Sequence, residues 1–167
     1  MGPKDCRGYG SADPYSLASW VGRGGYTGGV KDPGFEEVDH TADWAIRLRG
    51  KDLDELLANA ARGLLRLTGA QPRPGARPGR WRTLKLTAGD REALLVSWLE
   101  ELVFGMETRG VTYTDLEVRS LDGTRLTARL REAKAAIAGR RIKAVTYHDL
   151  KIEATPEGLT ATVVFDV

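Results

Sequence analysis

The sequence predicts an α+β fold: a mixed β-sheet with two main helices packed on one face, in the order β-α-β-α-β-β-β-β. Three observations carry this. Two long segments show apolar stripes at helical spacing, each opened by a capping aspartate. The segments around them alternate apolar and polar residues, as half-buried strands do. The last third is strand-like and broken by the turn signals Asp122-Gly123 and Pro156-Glu157-Gly158, so its strands are segregated from the helices.

The first strand is the run Trp44-Ala45-Ile46-Arg47-Leu48-Arg49, with Trp44, Ile46 and Leu48 on one side and Ala45, Arg47 and Arg49 on the other. The first helix spans Lys51 to Thr68. Asp52 stands three before Glu55, a capping-box arrangement, and Gly69 closes the helix. Leu53, Leu56, Leu57, Ala60, Leu64 and Leu67 form its stripe. Gln71 to Gly79, rich in Pro, Gly and Arg, reads as a loop. Trp81 to Ala88 alternates and reads as a strand. Asp90 caps a second helix to about Thr108, with Leu94, Leu95, Trp98, Leu99, Leu102, Val103 and Met106 as its buried stripe. Leu116 to Leu121 and Arg125 to Leu130 form a hairpin about Asp122-Gly123. Glu132 to Gly139 fits a short helix or a loop. Lys143 to Glu153 and Leu159 to Val167 are the last two strands. Residues 1 to 33 hold eight glycines and no sustained period, and are expected to be a flexible extension ahead of a domain at 34–167.

The chain has 167 residues, 29% charged and 41% apolar, enough for one domain with a sizeable core. Its net charge of +2 does not by itself argue for nucleic acid, but the charge is segregated. Ala70 to Arg82 has four arginines and no acid, Arg125 to Lys143 has seven basic residues and one acid, and Asp90 to Glu107 has five acids and one arginine. The basic runs show no aromatic stacking platform. The single cysteine, Cys6, excludes an intramolecular disulfide framework. No apolar run approaches the roughly 20 residues of a membrane span. A cytoplasmic protein without a membrane partner is expected.

Polar chemistry concentrates at two places. One is Asp39-His40-Thr41-Ala42-Asp43, at the mouth of the first strand. The other is the end of the last strand, where Asp166 stands beside Val167, the last residue of the sequence, whose main-chain carboxylate is expected to be free. Adjacent anions repel unless solvent or a cation relieves them. A third carboxylate would complete an oxygen site suited to Ca²⁺, Mg²⁺ or Mn²⁺ rather than zinc or copper. Asp39 and Asp43, if extended, lie about 13 Å apart at roughly 3.3 Å per residue, too far to share one ion. Asp43, which opens the strand, is the better candidate; Asp39 suits a turn-forming role. His40 and His148 are more simply hydrogen-bonded structure than ligands. There is no nucleophile elbow, phosphate-binding glycine loop or zinc spacing.

Asp39-His40-Thr41-Ala42-Asp43, Lys143-Ala144-Val145-Thr146-Tyr147-His148, the terminal Phe165-Asp166-Val167, and Glu92 to Leu102 in the second helix together resemble the archease family. The match runs from about Phe35 to Val167. The resemblance implies a non-enzymatic protein cofactor of RtcB-type RNA ligases. Such a cofactor would promote guanylation of the ligase and its multiple turnover in tRNA splicing and RNA repair, and would meet RNA indirectly through the ligase. It also implies a divalent-metal site at Asp43, Asp166 and the Val167 carboxylate, coinciding with the site reached from the residues. Asp39, His40, Lys143 and His148 are then supporting or partner-contacting positions. Two rival readings use the same features: a stand-alone metal-dependent hydrolase or transferase, and an RNA-binding, chaperone-like module.

Overall fold

A computed structural model describes residues 34–39, 44–139 and 141–167, with only the backbone of Asp39. Residues 1–33, and with them the expected extension, lie outside the described residues. The chain runs β1 (Phe35–Asp39), β2 (Trp44–Gly50), α1 (Leu53–Thr68), β3 (Ala70–Pro72), β4 (Trp81–Thr87), α2 (Arg91–Arg109), β5 (Val111–Leu121), β6 (Arg125–Ile137), β7 (Ala144–Thr146), β8 (Glu153–Thr155) and β9 (Gly158–Asp166).

The α+β class and the two helices agree with the sequence. The expected mixed sheet resolves into two sheets, and every pairing in them is antiparallel. One has the order β1-β2-β9-β7, with β8 also on β9; in the other β6 pairs with β3, β4 and β5. The reason lies in the crossovers. The chain leaves the first sheet through α1 and enters the second. β4 and β5 run the same way across α2, but β6 pairs antiparallel with both, so no parallel ladder forms.

The helices cover one face of each sheet. α1 packs on β1, β2 and β9 and also on β3 and β5; α2 packs on β7 and on β4, β5 and β6. Both helices start as the sequence predicts. The Asp52 carboxylate accepts from Glu55 N at 2.9 Å and Asp90 from Ala93 N at 2.7 Å, satisfying donors that a first turn leaves open. Both end on a glycine with positive φ, Gly69 and Gly110. All seven predicted stripe residues of α2 are buried, and the Trp98 indole donates to Leu57 O of α1 at 3.0 Å, so the largest core side chain is also polar-satisfied.

Three local expectations change. β1 was not anticipated, because Glu36 and Glu37 interrupt its apolar pattern; it is an edge strand held to β2 by Glu36, which pairs with Arg49 at 2.9 Å and Arg47 at 3.8 Å. Glu132 to Gly139, read as helix or loop, is mostly strand: β6 continues to Ile137 because β3 and β5 both pair with it there. Pro72 accordingly ends a three-residue strand instead of lying in a loop, a position where its missing N–H costs little. The single strand expected from Lys143 to Glu153 splits into β7 and β8. Its middle turns out through Leu150 N to Tyr147 O, with Asp149 at φ 49°, and Ile152 N is taken by the Glu92 carboxylate at 2.9 Å.

Between α2 and the second sheet lies a four-charge cluster. Arg82 donates to Glu101 at 3.0 Å and Glu132 at 3.1 Å, and Arg109 to Glu132 at 2.9 Å. Burial works against the Arg82 charge, but the two carboxylates outweigh it and hold its pKa above the ordinary value. Beside the cluster the Tyr113 hydroxyl donates to Leu102 O at 3.2 Å, and burial pushes that hydroxyl up. α2 can come this close because Gly105 has no side chain: a Cβ there would overlap the Tyr113 hydroxyl and the Arg109 guanidinium. Gly105→Ala is expected to destabilise the fold by about 1–3 kcal/mol, seen as a lower urea midpoint at unchanged slope. Gly89→Ala, whose Cβ meets nothing within 4 Å, should stay within about 0.5 kcal/mol of the parent.

Candidate functional site

The end of β9 gathers the candidate residues that the structure describes. Register fixes them: Trp44 pairs with Phe165 on one side of β9, and Ala144 with Asp166 and Val145 with Phe165 on the other. Phe165 is fully buried and Val163 with it, so the strand end is anchored from inside. Asp166 turns outward and is exposed, and Val167 is half-buried against the core. The alternation expected for β9 therefore holds, with Ala161, Val163 and Phe165 inward. Val164 is buried as well.

Lys143 joins this tip. Its main-chain N donates to Asp166 O at 2.8 Å, and its ammonium donates to Val167 O at 2.9 Å. The lysine that opens the second motif thus meets the last two residues through both backbone and side chain. His148 does not. It lies beyond β7 in an exposed loop, with its Nε2 3.4 Å from the Asp149 carboxylate. His40 and Asp43, together with the side chain of Asp39, lie outside the described residues. Asp43 directly precedes Trp44 in sequence, as Asp166 directly follows Phe165, the register partner of Trp44.

The donors at the tip are all oxygen: the Asp166 carboxylate, with no ion-pair partner among the described residues, and the main-chain oxygen of Val167. This set fits a hard divalent cation and no soft one. Among the described residues no three His, Cys, Asp or Glu side chains come together as a metal site, so a cation here needs a further ligand. A separate cavity of about 230 Å³, lined in part by Asp52, Asp54, Glu117 and Arg119, shares no residue with the tip. Burial and neighbouring Asp52 raise the Asp54 pKa there.

Comparison with known proteins decides the family. The model of the Archease protein family (MTH1598/TM1083) matches residues 35–167, nearly the whole described chain. The chain belongs to the archease family. Similar relatives include the archease of Thermococcus kodakarensis, 32% identical over 131 residues (74% of this chain and 91% of that protein), and that of Saccharolobus islandicus, 31% identical over 143 residues (80% and 98%). Among solved structures, the archease from Thermotoga maritima superposes with TM-score 0.60 at 25% identity, covering 79% of this chain and 96% of that one. Methanobacterium thermoautotrophicum protein 1598 gives 0.57 at 28%, covering 80% and 99%. The archease fold therefore extends over the two sheets and both helices described above.

Sequence reading missed one group of half-buried residues on the outer face of the second sheet. Trp81 lies under two arginines of β6, with the Arg129 and Arg131 guanidinium carbons 4.6 and 5.5 Å from its ring centre. The signal was present as a tryptophan inside an arginine run, but only the β4–β6 register brings it to a second basic run 50 residues on (Trp81↔Arg131). No described helix is long and apolar enough to cross a membrane.

The tip separates structural from chemical residues, and stability measurements can check this. Phe165→Ala is expected to cost about 3–5 kcal/mol, as a fully buried aromatic does. Asp166→Asn, exposed, should leave the denaturation midpoint within about 0.5 kcal/mol of the parent.

Proposed function

We propose that this archease activates an RtcB-type RNA ligase in tRNA splicing and RNA repair, promoting guanylation of the ligase and multiple turnover without catalysing a reaction itself. The observation that carries the reading is the tip at the end of β9. Asp166 presents an exposed carboxylate from a strand whose preceding residue is fully buried, and Lys143 holds the neighbouring Val167 oxygen at 2.9 Å. An exposed carboxylate on a strand end anchored in the core suits contact with a partner better than turnover on its own surface. Asp43, Asp166 and the main-chain oxygen of Val167 are the groups that would hold a divalent cation. Such an ion supplies charge neutralisation for phosphate groups during nucleotidyl transfer.

On this reading each residue has a distinct task. Asp166 and Asp43 supply negative charge, and Val167 supplies its main-chain oxygens. Lys143 orients Val167 and tempers the repulsion between adjacent carboxylates when no other cation is present. Asp39 and His40 would belong to the partner-facing surface, with His148 available for a separate partner contact from its exposed loop, in a protein expected to act in the cytoplasm.

The test is reconstitution. The protein is mixed with a cognate RtcB-type ligase, GTP and Mn²⁺, and ligase guanylation and RNA joining are followed over many turnovers. Stimulation of both is expected, and absence of stimulation would sink the reading. Asp43→Ala and Asp166→Ala should each lower stimulation at least about tenfold while the proteins remain folded, because each removes a charged ligand. Asp166→Ala should also weaken divalent-ion affinity measured by calorimetry.

A further inference from the structure

The outer face of the second sheet carries an aromatic residue in a positively charged frame. Leu84, Leu126, Ala128 and Leu130 point into the core, so Trp81, Thr83 and Lys85 of β4 and Arg129 and Arg131 of β6 point out. The register sets them in rows: Trp81 beside Arg131, Thr83 beside Arg129, Lys85 beside Thr127. On the far side of β6 the same rows continue to Asp115 and Glu117. Those carboxylates lie 3.7 and 3.8 Å from Arg131 and Arg129, ion pairs longer than a hydrogen bond.

The charge on this face is therefore graded across the strands. β5 carries Asp115 and Glu117 together with Arg119, which pairs with Glu117 at 2.6 Å, β6 carries Arg129 and Arg131, and the β4 side is purely basic. From Arg73 to Thr87 there are five basic residues and no acid. Arg82 faces inward to Glu101 and Glu132, and Arg73 Nε is bound to Ala135 O at 2.7 Å. Arg77, Arg80 and Lys85 are exposed and have no acidic partner among the described residues. The half-buried Trp81 ring sits where this basic margin meets the arginine row.

We propose that this face binds single-stranded RNA, with Trp81 stacking on an unpaired base, Arg129 and Arg131 completing the stack, and Arg77, Arg80 and Lys85 contacting phosphates. The chemistry selects the occupant. A basic margin alone would accept any polyanion, but a sheet face on which a half-buried tryptophan lies under two arginines offers an aromatic and guanidinium surface that bases match. Bases in an A-form duplex are stacked and unavailable to such a platform, so unpaired nucleotides are favoured over duplex. The face is built from β4, β5, β6 and the 73–80 loop, with no residue of the metal tip, and the inference stands without the ligase reading.

Fluorescence anisotropy tests it, using the full chain, a chelator to silence any metal site, and a labelled RNA of about 12 nucleotides offered single-stranded or annealed to its complement. The single strand should bind more tightly than the duplex, with log affinity falling linearly in log salt. Trp81→Ala should weaken binding at least about fivefold, and Trp81→Phe should retain most of it. The double change Arg77→Ala, Arg80→Ala touches only exposed loop side chains, so it reports even if Trp81→Ala misfolds; it should lower the salt slope by about 1.4 for two lost phosphate contacts. The proposal is overturned by any of four results: no binding at low salt, equal binding of duplex, an unchanged slope in the double variant, or a folded Trp81→Ala that binds as tightly as the parent. Competition by polyglutamate as effective as by unlabelled RNA would also overturn it, and would assign the face to an acidic protein.

Discussion

The ladder between β2 and β9 is the interaction on which the first sheet depends. It runs without a break from Trp44↔Phe165 to Gly50↔Leu159 and buries Ile46, Leu48, Val163 and Phe165. β1 is attached to the sheet through β2 alone, and β7 and β8 through β9 alone. Thr160 adds a side-chain hydrogen bond to Leu48 O at 2.9 Å across 112 positions of sequence. The register is strongly specified, since a one-residue slip would turn the apolar set to solvent and Arg47 and Arg49 into the core. The same register decides which residues stand at the tip, so the candidate chemistry inherits its geometry from core packing.

Much of this was legible in the sequence where one physical signal dominated. The helices were readable because apolar period and aspartate caps agreed, with Gly69 closing the first; the closing role of Gly110 in the second emerged from the structure. β2, β4 and β9 were readable from alternation, and the β5–β6 turn from Asp122-Gly123. There the Asp122 carboxylate accepts from Thr124 N and Arg125 N, which holds it below the usual carboxylate range. The signals failed where long-range pairing overrode local pattern. β1 is too acidic to read as a strand, yet cross-strand arginines retain it. The 132–137 segment has no clean period because β6 has different partners along its length. Two sheets could not be told from one, because alternation shows that a strand has a buried face but not which layer covers it. Asp166 and Val167 were singled out together with Asp43, and Lys143 only as a supporting or partner-contacting position; its contact to the Val167 oxygen needed the β7–β9 register.

The two surfaces of interest are electrostatic opposites on different sheets. The tip of the first sheet carries carboxylate oxygen with one lysine in attendance; the outer face of the second carries guanidinium and indole. A near-neutral net charge therefore conceals a segregated surface, and the overall balance of +2 says little about partners.

The four-charge cluster under β4 has a consequence for the face above it. Strand residues alternate, so Arg82, gripped from inside by Glu101 and Glu132, sits between Trp81 and Thr83, which face out. The cluster ties β4 to α2 and to β6 from beneath. The backbone under the tryptophan is thus ordered before anything arrives. A surface ordered in advance loses little conformational freedom on engagement, and more of the contact energy is left for affinity and for discrimination among partners.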